Sequence, residues 1–557
     1  MRRADLWYAA AAALLLSALA FNLDGWALLD PDEGRNATVM REMAEQGEWV
    51  LPQLNGLPYL DKPVIYFGVG AAAMKVFGPT ETAARFPSLL FTIAAAAMLW
   101  LLARRMFDED GAWTATLAFL ATPFAVAYAR VVIFDAAVVF WVLVAMYGFW
   151  RAMHTPKGWA WSLLAWAGIA GGLLTKGPVV LVFPFMVVLP WAVWCGEGRW
   201  KAVLDPVGIL AAVAMILPWV WAMGGHVPGY MEYVLLVETA QRFATDDVGR
   251  SGPFWYFLPI LPAAALPWSA LVLGAPKQLR DLVRERDGRT MFLLIWIIVP
   301  LIFFTLAQSK RPQYILPLIP AITLLAARVW HADGETLAGT RVAANVLILI
   351  GAGLVGFRDR LVELFETTPE VATVIPSTAL WLGVALLMGG SAVYALSDQR
   401  EKVLLALAAP VAVIPFIAGP LMIAIADDRS AAGLATVMTP VLTEETDVVG
   451  VDAWPPGLGF YLGRQITVST DRPEVLTSNW VTRNREAAQA WPESPLRSGL
   501  WWQRAILSCA RPRIFVVSAN DPLTRTELAS ALPFLAETGR YAVYGPCGGG
   551  GLAMAYH

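Results

Sequence analysis

The chain has 557 residues, of which 57% are hydrophobic and 15% are charged, and its formal net charge is −3. Soluble domains carry about a quarter charged residues, so this composition excludes an ordinary soluble protein. The near-neutral charge gives no reason to expect a nucleic-acid partner, and three cysteines exclude a disulfide-rich scaffold.

Long apolar stretches separated by short charged loops predict a polytopic helical membrane protein with about 13 spans. The first covers residues 6–23. It ends without a small-residue cleavage pattern, so we interpret it as an uncleaved span rather than a signal peptide. We interpret the short, glycine-punctuated segment 64–78 as an amphipathic juxtamembrane helix. The other predicted spans centre on residues 86–103, 112–129, 132–150, 159–175, 178–195, 203–223, 254–273, 290–307, 312–330, 341–357, 376–396 and 402–425.

The loops indicate an orientation. With a cytoplasmic N-terminus, the inside loops hold most of the Lys and Arg, as the positive-inside rule requires. This predicts a multi-pass protein of the bacterial inner membrane. Basic residues that remain outside need a reason, and an anionic ligand is one. They are Arg35, Lys62, Arg85, Lys176, Arg242, Lys310 and Arg311.

The last part of the chain, residues 428–557, has shorter apolar runs separated by Pro, Gly and polar residues. It predicts a soluble α/β domain that an odd number of spans places in the periplasm. Residues 1–427 then form the membrane domain, with outer-side loops over 24–85 and 224–253. The predicted strands lie at 447–453, 460–469 and 514–518.

Cys509 and Cys547 both lie in this soluble domain, where a disulfide would persist, and two unpaired cysteines are the alternative. The glycine-rich stretch 545–551 lacks the lysine and the strand–loop–helix context of a phosphate-binding loop. Four histidines without HExxH or paired-cysteine spacing give no reason to expect a structural zinc site.

Two charged clusters follow the first span: Asp32-Glu33-Gly34-Arg35, directly after Pro31, and Tyr59-Leu60-Asp61-Lys62-Pro63. Charges beside a membrane are costly without partners, which makes both clusters candidate sites. The alternative for Asp32 and Glu33 is that they stabilise the N-terminus of a short helix predicted over 34–43. The alternative for Asp61 and Lys62 is an exposed ion pair of little energetic value.

Asp135 lies near the outer end of the fourth predicted span, so it needs a partner, for which Arg130 and Lys176 are the candidates. A purely structural ion pair between helices is the alternative. Lys176 lies in the turn Thr175-Lys176-Gly177-Pro178, where an ammonium and free amides are able to hold a phosphate.

Two later segments complete the predicted outer surface. Loop 224–253 contains Arg242 together with Asp246 and Asp247, which we interpret as solvated acids in preference to metal ligands. Lys310 and Arg311 are adjacent cations that would clamp a phosphate, with Tyr314 donating a hydrogen bond.

Several motifs occur together across the membrane region, and in this order they resemble one family. They are PDEGR (31–35), REMAEQGEWVLPQLNGLPYLDKP (41–63), VIFDAAVVFW (132–141), LLTKG (173–177), ETAQRFATDD (238–247), GPFWYF (252–257) and SKRPQYILP (309–317). The chain resembles the bacterial lipid A aminoarabinose transferases, a branch of the protein-mannosyltransferase-like GT-C glycosyltransferases. The resemblance implies a GT-C membrane domain of about 13 transmembrane helices followed by a soluble α/β domain.

The resemblance also implies an activity. The donor would be a sugar on polyprenyl (undecaprenyl) phosphate, the sugar being aminoarabinose or a related pentose, hexose or uronic acid. The acceptor would be lipid A or another outer-leaflet glycan or protein, with inversion at the anomeric carbon. The carboxylate matching Asp32 is the family's catalytic acid, and the positions matching Arg35, Lys62, Lys310 and Tyr314 surround the carrier phosphate or sugar. From the charge pattern we add further candidate binding residues: Glu33, Tyr59, Asp61, Asp135, Lys176, Arg242 and Arg311.

Two departures from the family pattern affect these expectations. The family commonly has glutamate at the position of Asp61 and histidine at the position of Thr239. The sequence therefore gives no reason to expect a metal site built from Glu238 and that histidine, and we expect no essential metal or other cofactor. The alternative function is a transporter or flippase of lipid-linked sugars. Such proteins often show internal repeats and broken helices at mid-membrane, which this sequence does not.

Overall fold

The computed structural model describes residues 3–156, 158–195, 200–234, 252–332, 337–365, 367–509 and 511–547. The chain divides into two compact units. The first comprises Met1–Leu23 and Arg85–Pro420, and the second comprises Asp24–Ala84 and Leu421–His557. The segment predicted as an outer loop of the membrane domain thus groups with the C-terminal region. The predicted domain boundary at residue 427 remains a prediction.

The first unit is helical, as its apolar composition predicts. Its helices are Arg3–Ala20, Glu81–Met106, Glu109–Leu120, Pro123–Tyr128, Asp135–His154, Gly158–Lys176, Val179–Cys195, Trp200–Val203, Pro206–His226, Tyr230–Glu232, Phe257–Ala264, Trp268–Leu273, Pro276–Arg284, Gly288–Leu306, Ile319–Ala332, Leu337–Phe357, Pro369–Ala395, Arg400–Ala412, Ile414–Ile417 and Gly419–Arg429. Pro312–Leu318 and Arg360–Leu364 are 3₁₀ turns. Glu81–Met106 begins, and Gly419–Arg429 ends, in the second unit.

Each predicted span coincides with one or more of these helices. Within the described residues, seven helices are long and apolar enough to cross a membrane, or eight if the bent pair Arg400–Ile417 and Gly419–Arg429 is one span. Other predicted spans are interrupted. The span at 254–273, for example, is divided around Pro267, because proline lacks the amide donor that would continue the helix. The count of about 13 spans therefore remains a prediction.

Two helices of the first unit form a tight antiparallel pair, Asp135–His154 and Gly158–Lys176. A methyl group at Gly148 would lie 2.5 Å from the amide nitrogen of Ala165, which is closer than atoms can approach. Small residues are typical where membrane helices approach this closely. The pairing brings the first residue of one helix, Asp135, beside the last residue of the other, Lys176.

Two buried arginines bind the C-terminal end of helix Arg3–Ala20 and the turn that follows it. Arg130 donates to the carbonyl oxygens of Leu19 and Phe21 at 2.8 and 2.7 Å, and Arg85 donates to that of Leu23 at 2.6 Å. The last carbonyls of a helix lack internal partners and favour cations. Because of these contacts, the predicted outside position of Arg85 does not require an anionic ligand.

The second unit contains a small hairpin and a mixed sheet. The hairpin joins β1 (Gln53–Leu54) to β2 (Leu57–Pro58). The described residues of the sheet have the order β5-β4-β3-β6-β8-β7, in which β3 pairs in parallel with β4 and β6, β4 with β5, and β8 runs antiparallel to both neighbours. These strands are β3 (Asp447–Val451), β4 (Thr467–Ser469), β5 (Leu496–Arg497), β6 (Arg513–Ser518), β7 (Phe534–Thr538) and β8 (Tyr541–Cys547).

Short helices cover this sheet, so the predicted α/β class is confirmed. The strand predicted over 460–469 is half wrong, because its first residues belong to helix Leu458–Leu462. Cys509 and Cys547 form a disulfide, with their Cα atoms 5.9 Å apart. The helices of the second unit, including its 3₁₀ turns, are Asp32–Gln46, Ile65–Phe77, Ala432–Met438, Thr439–Val441, Leu458–Leu462, Pro473–Val475, Asn479–Arg483, Arg485–Gln489, Trp501–Ser508 and Pro522–Ala531.

Hydrogen bonds join the two separate chain segments of the second unit. Asn55 and Ile466 exchange two bonds of 2.7 and 2.8 Å, and the Thr38 hydroxyl donates to the carbonyl of Pro456 at 2.7 Å. Buried polar groups need such partners. Residues 24–84 are therefore an integral part of this unit.

Candidate active site

Asp32 is the first residue of helix Asp32–Gln46, which has no side-chain cap at its N-terminus. Its carboxylate forms an ion pair with Nη2 of Arg35 at 2.5 Å, and the Asp32 side chain is 43% exposed. The predicted helix is confirmed, and Asp32 presents an oriented, accessible carboxylate.

Arg35 is held on several sides. It donates to the carbonyl of Thr477 at 3.2 Å, and its guanidinium lies 5.9 Å from the centre of the Tyr59 ring. Burial alone would lower the pKa of Arg35, but Tyr59, Asp32 and Asp61 together raise it. Arg35 is therefore a fixed cation that orients Asp32. The buried Tyr59 ring packs beside the Arg35 guanidinium.

Glu33 and Gly34 have local structural roles. The buried Glu33 carboxylate accepts the amide of Leu29 at 3.1 Å, which supports the helix-terminus interpretation that we considered for it. Gly34 packs against a second glycine, because a methyl group at Gly34 would lie 2.7 Å from the Cα of Gly457. The glycine of the charged tetrapeptide thus allows close contact with the C-terminal segment.

Asp61 is a buried anchor for the helix Asn479–Arg483. Its oxygens accept the amide of Asn479 at 3.1 and 3.2 Å and that of Trp480 at 3.4 Å. The exposed ion pair considered from the sequence is not the arrangement of Asp61, which is 8% exposed. Lys62 donates to the carbonyl of Asp61 and is only partly buried, so its ammonium remains near the surface of the unit.

Asp30, which precedes the tetrapeptide, was not among the residues predicted from the sequence. Its Oδ1 accepts the amide of Gly457 at 2.9 Å, and its buried Oδ2 has no hydrogen-bond partner among the residues that the structure describes. Burial raises the pKa of Asp30 to about 7. Its hydrogen-bond partner Gly457 lies more than 400 residues away along the chain. No local sequence signal therefore predicts the environment of Asp30.

The first unit carries a second cluster of candidate residues. Lys176 Nζ and Asp135 Oδ1 form an ion pair at 2.5 Å, with 15% and 4% of their side chains exposed. Lys176 also lies 5.7 Å from the centre of the Tyr314 ring. Of the two partners predicted for Asp135, the structure shows the pair with Lys176, since Arg130 binds the end of the first helix.

This pair allows a test of whether Lys176 is structural or binds a ligand. Replacing Asp135 by alanine should destabilise the protein by about 3 kcal/mol, because it leaves an uncompensated buried charge. The double variant Asp135→Leu with Lys176→Met should restore most of that stability. Thermal unfolding measures stability, and a polyprenyl-phosphate binding assay measures the ligand role. Normal binding by the folded double variant would contradict a carrier-phosphate role for Lys176.

Lys310 is 8% exposed, and its ammonium donates to the carbonyls of Thr305 and Ala307. These oxygens lie at the end of helix Gly288–Leu306, where a cation is stabilising. Arg311 follows in an extended conformation, and its carbonyl accepts the amide of Tyr314 at 3.1 Å. The segment therefore brings Lys310, Arg311 and Tyr314 together at the start of one turn.

Arg242 lies outside the described residues, as do Glu238, Thr239, Asp246 and Asp247. Within the described part of the chain, no group of three or more His, Cys, Asp or Glu side chains is placed to hold a metal ion. The expectation of no essential metal remains a prediction.

Comparisons with known proteins bear on this arrangement. The family described as "Dolichyl-phosphate-mannose-protein mannosyltransferase" matches residues 61–221. The undecaprenyl phosphate-alpha-4-amino-4-deoxy-L-arabinose arabinosyl transferase of Edwardsiella ictaluri is 35% identical over 340 residues, covering 59% of this chain and 61% of that protein. The corresponding transferase 2 of Sodalis glossinidius is 37% identical over 336 residues, covering 59% of each chain. Over about 60% of its length, the chain is thus similar to named aminoarabinose transferases.

A solved structure extends the likeness to nearly the whole chain. ArnT from Cupriavidus metallidurans, bound to undecaprenyl phosphate, superimposes with a TM-score of 0.82 at 24% identity and covers 97% of each chain. The fold of ArnT thus matches both the helical region and the C-terminal sheet of this chain. The named relatives confirm the resemblance predicted from the motifs. The matches to the Edwardsiella and Sodalis transferases span only about 60% of the length of those two proteins.

Proposed function

We propose that the protein is a membrane glycosyltransferase that moves aminoarabinose from undecaprenyl phosphate to lipid A. The observation that carries the proposal is the oriented carboxylate of Asp32, exposed at a helix N-terminus and paired with the fixed cation Arg35. The named relatives, at 34–37% identity over more than 300 residues, support this choice of sugar and carrier. A related pentose, hexose or uronic acid, or another outer-leaflet acceptor, is the broader form of the proposal.

The reaction is a single displacement at the anomeric carbon. The bond between that carbon and the carrier phosphate oxygen breaks, a bond to the acceptor oxygen forms on the opposite face, and the phosphate leaves on its carrier. If the acceptor is a hydroxyl, Asp32 takes its proton as general base. If the acceptor is a phosphate, no proton is removed, and Asp32 instead orients the acceptor or stabilises positive charge on the sugar.

The leaving phosphate requires cations, since electrostatic stabilisation of developing charge is usually the largest contribution to such catalysis. Lys62, Lys310 and Arg311 are the proposed phosphate ligands, with Tyr314 beside them in sequence. Lys310 is well suited to bind the phosphate, because two backbone carbonyls fix the position of its ammonium. Among the described residues, no carboxylate lies at ion-pair distance from it.

The proposal is tested with purified protein, synthetic undecaprenyl-phosphate aminoarabinose and lipid A, with the product identified by mass spectrometry. Formation of aminoarabinosyl lipid A supports it. Movement of the donor across a vesicle membrane without transfer would instead support the flippase, which is the second candidate. Consumption of a donor with another sugar would keep the enzyme class and correct the substrate.

Substituting the proposed phosphate ligands should weaken donor binding. We expect Lys62→Ala and Lys310→Ala each to raise the apparent KM for the donor roughly tenfold, because a hydrogen bond to a charged group contributes about 1.5–3 kcal/mol. Lys75→Ala is the matched control, since Lys75 lies over the ring of Trp49 and is not a proposed ligand. An unchanged KM for Lys62→Ala or Lys310→Ala would remove that lysine from the phosphate site.

A further inference from the structure

A cavity lined by charged and aromatic side chains lies in the first unit and has no part in the proposed transfer. Its volume is about 460 Å³, and its walls include Arg105, Trp150, Arg151, Trp191, Asp287 and Arg289. Pockets of this size accommodate a small molecule or a lipid headgroup.

The cavity lies at the ends of four helices. Arg105 is near the end of Glu81–Met106, and Trp150 and Arg151 are near the end of Asp135–His154. Trp191 lies in the last turn and a half of Val179–Cys195, and Arg289 is in the first turn of Gly288–Leu306.

These are the helix ends remote from the cluster of Asp135 and Lys176. Asp135–His154 has 20 residues, and a helix of that length spans about 30 Å, the thickness of the bilayer hydrocarbon. The cavity is therefore at the opposite membrane face from Asp135. The positive-inside rule assigns that face to the cytoplasm.

The lining carries an excess of positive charge. Arg105 and Arg289 are exposed, and neither forms an ion pair with any residue in the described ranges. Arg151 is positioned by stacking, since its guanidinium lies 4.1 Å from the centre of the Trp161 ring.

The single lining carboxylate does not neutralise these arginines. Asp287 accepts the amide of Thr290 at 3.0 Å and its hydroxyl at 2.6 Å, and it pairs with Nε of Arg328 at 3.3 Å. Its charge is therefore satisfied by groups other than Arg105, Arg151 and Arg289.

The inner part of the cavity is rigid and aromatic. The rings of Trp150 and Trp191 lie 5.3 Å apart, both nearly fully buried, and Trp191 Nε1 donates to the carbonyl of Gly288 at 2.9 Å. An arginine guanidinium binds two phosphate oxygens at once, and fixed apolar walls would contact the organic group attached to the phosphate. The lining therefore fits a phosphate ester.

We propose that this cavity binds a phosphate group, most directly the headgroup phosphate of an anionic phospholipid on the face opposite the transfer cluster. A soluble phosphate monoester has the same chemistry, and the experiment separates the two sources. Binding here is independent of sugar transfer, so this proposal stands or falls separately from the proposed enzyme function.

The test compares the full-length protein with the variant Arg105→Gln/Arg289→Gln in detergent micelles. Native mass spectrometry measures binding of short-chain phosphatidylglycerol, phosphatidylcholine and glycerol 3-phosphate. We expect the double variant to bind phosphatidylglycerol at least tenfold more weakly. The control is Arg284→Gln, which removes an exposed arginine of helix Pro276–Arg284 that does not line the cavity.

The outcomes distinguish a lipid source of the phosphate from a soluble one. Selective loss of phosphatidylglycerol binding in the double variant supports a lipid site, and equal binding of glycerol 3-phosphate supports the phosphate site with a soluble source. Wild-type affinity in the double variant would overturn the proposal. An equal loss with Arg284→Gln would also overturn it, because the binding would then reflect general surface charge. Thermal unfolding of each variant confirms that it is folded.

Discussion

Replacing Asp32 by asparagine should reduce sugar transfer to a hydroxyl acceptor by about 10²–10⁴-fold, which is the usual contribution of a general base. The asparagine keeps the size of the side chain and a hydrogen bond to Arg35, so the helix N-terminus should remain formed. The measurement is the initial rate at saturating donor and acceptor, together with the unfolding temperature of each protein.

A matched control lies on the same helix. Glu45 is also partly exposed and pairs with an arginine, Arg41, at 2.6 Å. We expect Glu45→Gln to transfer at the wild-type rate, within about twofold of it. A folded Asp32→Asn protein with near-normal activity would show that Asp32 only stabilises the helix. Activity that falls equally in both variants would assign the effect to the helix rather than to Asp32.

Stability should depend on pH through Asp30. Burial raises its pKa from 3.8 to about 7, so the folded state holds a proton that the unfolded state releases. Its contribution to stability is complete below about pH 4 and is lost as the pH rises through about 7. Between pH 5.5 and 8.0 this amounts to about 2 kcal/mol, at about 1.4 kcal/mol for each unit below the folded pKa.

Asp30→Asn should remove that part of the pH dependence. Asparagine still accepts the Gly457 amide, and its NH₂ group replaces the oxygen that has no partner in the described chain. Unfolding temperatures between pH 5.5 and 8.0 are the measurement, and the exposed Glu474→Gln is the control. An undiminished slope in Asp30→Asn would show that Asp30 is already ionised in the folded protein at pH 5.5.

Glu42 should preserve part of the slope in that variant, because burial also raises its pKa to about 7. Its two oxygens accept the amides of Asn55 and Gly56 at 2.6 and 3.0 Å. A glutamine would present an NH₂ group to one of these donors, so Glu42→Gln is expected to lower stability at every pH. The two carboxylates therefore require different tests despite similar pKa values.

The helices were predictable because long apolar runs have few alternatives in a membrane. The helix at Asp32 was predictable for a similar local reason, as the acids after Pro31 fit a helix start. Short strands were harder to predict. Strand β5 has only two residues and so almost no local pattern. Phe460, which we predicted in a strand, belongs to the five-residue helix Leu458–Leu462.

Within the candidate site, the sequence did not reveal the hydrogen-bond partners of several predicted residues. For Asp61 the sequence left open a binding role or an exposed ion pair, whereas its carboxylate accepts the amides of Asn479 and Trp480. The predicted outside position of Arg85 suggested an anionic ligand, but its guanidinium donates to the carbonyl of Leu23. In each case the partner is distant in sequence, and no local periodicity encodes such a contact. The choice of Lys176 over Arg130 as partner of Asp135 likewise depends on helix pairing.

The composite nature of the second unit has a consequence for biosynthesis. The helix that carries Asp32 emerges from the ribosome with residues 24–84, but its hydrogen-bond partners belong to Leu421–His557. About 340 residues separate the two segments, and at roughly 5–20 residues per second the delay is about 20–70 s. Throughout that interval the N-terminal segment lacks the surface that buries its apolar side chains. The Asp32 region therefore completes its packing only after the segment that begins at Leu421 has been synthesised.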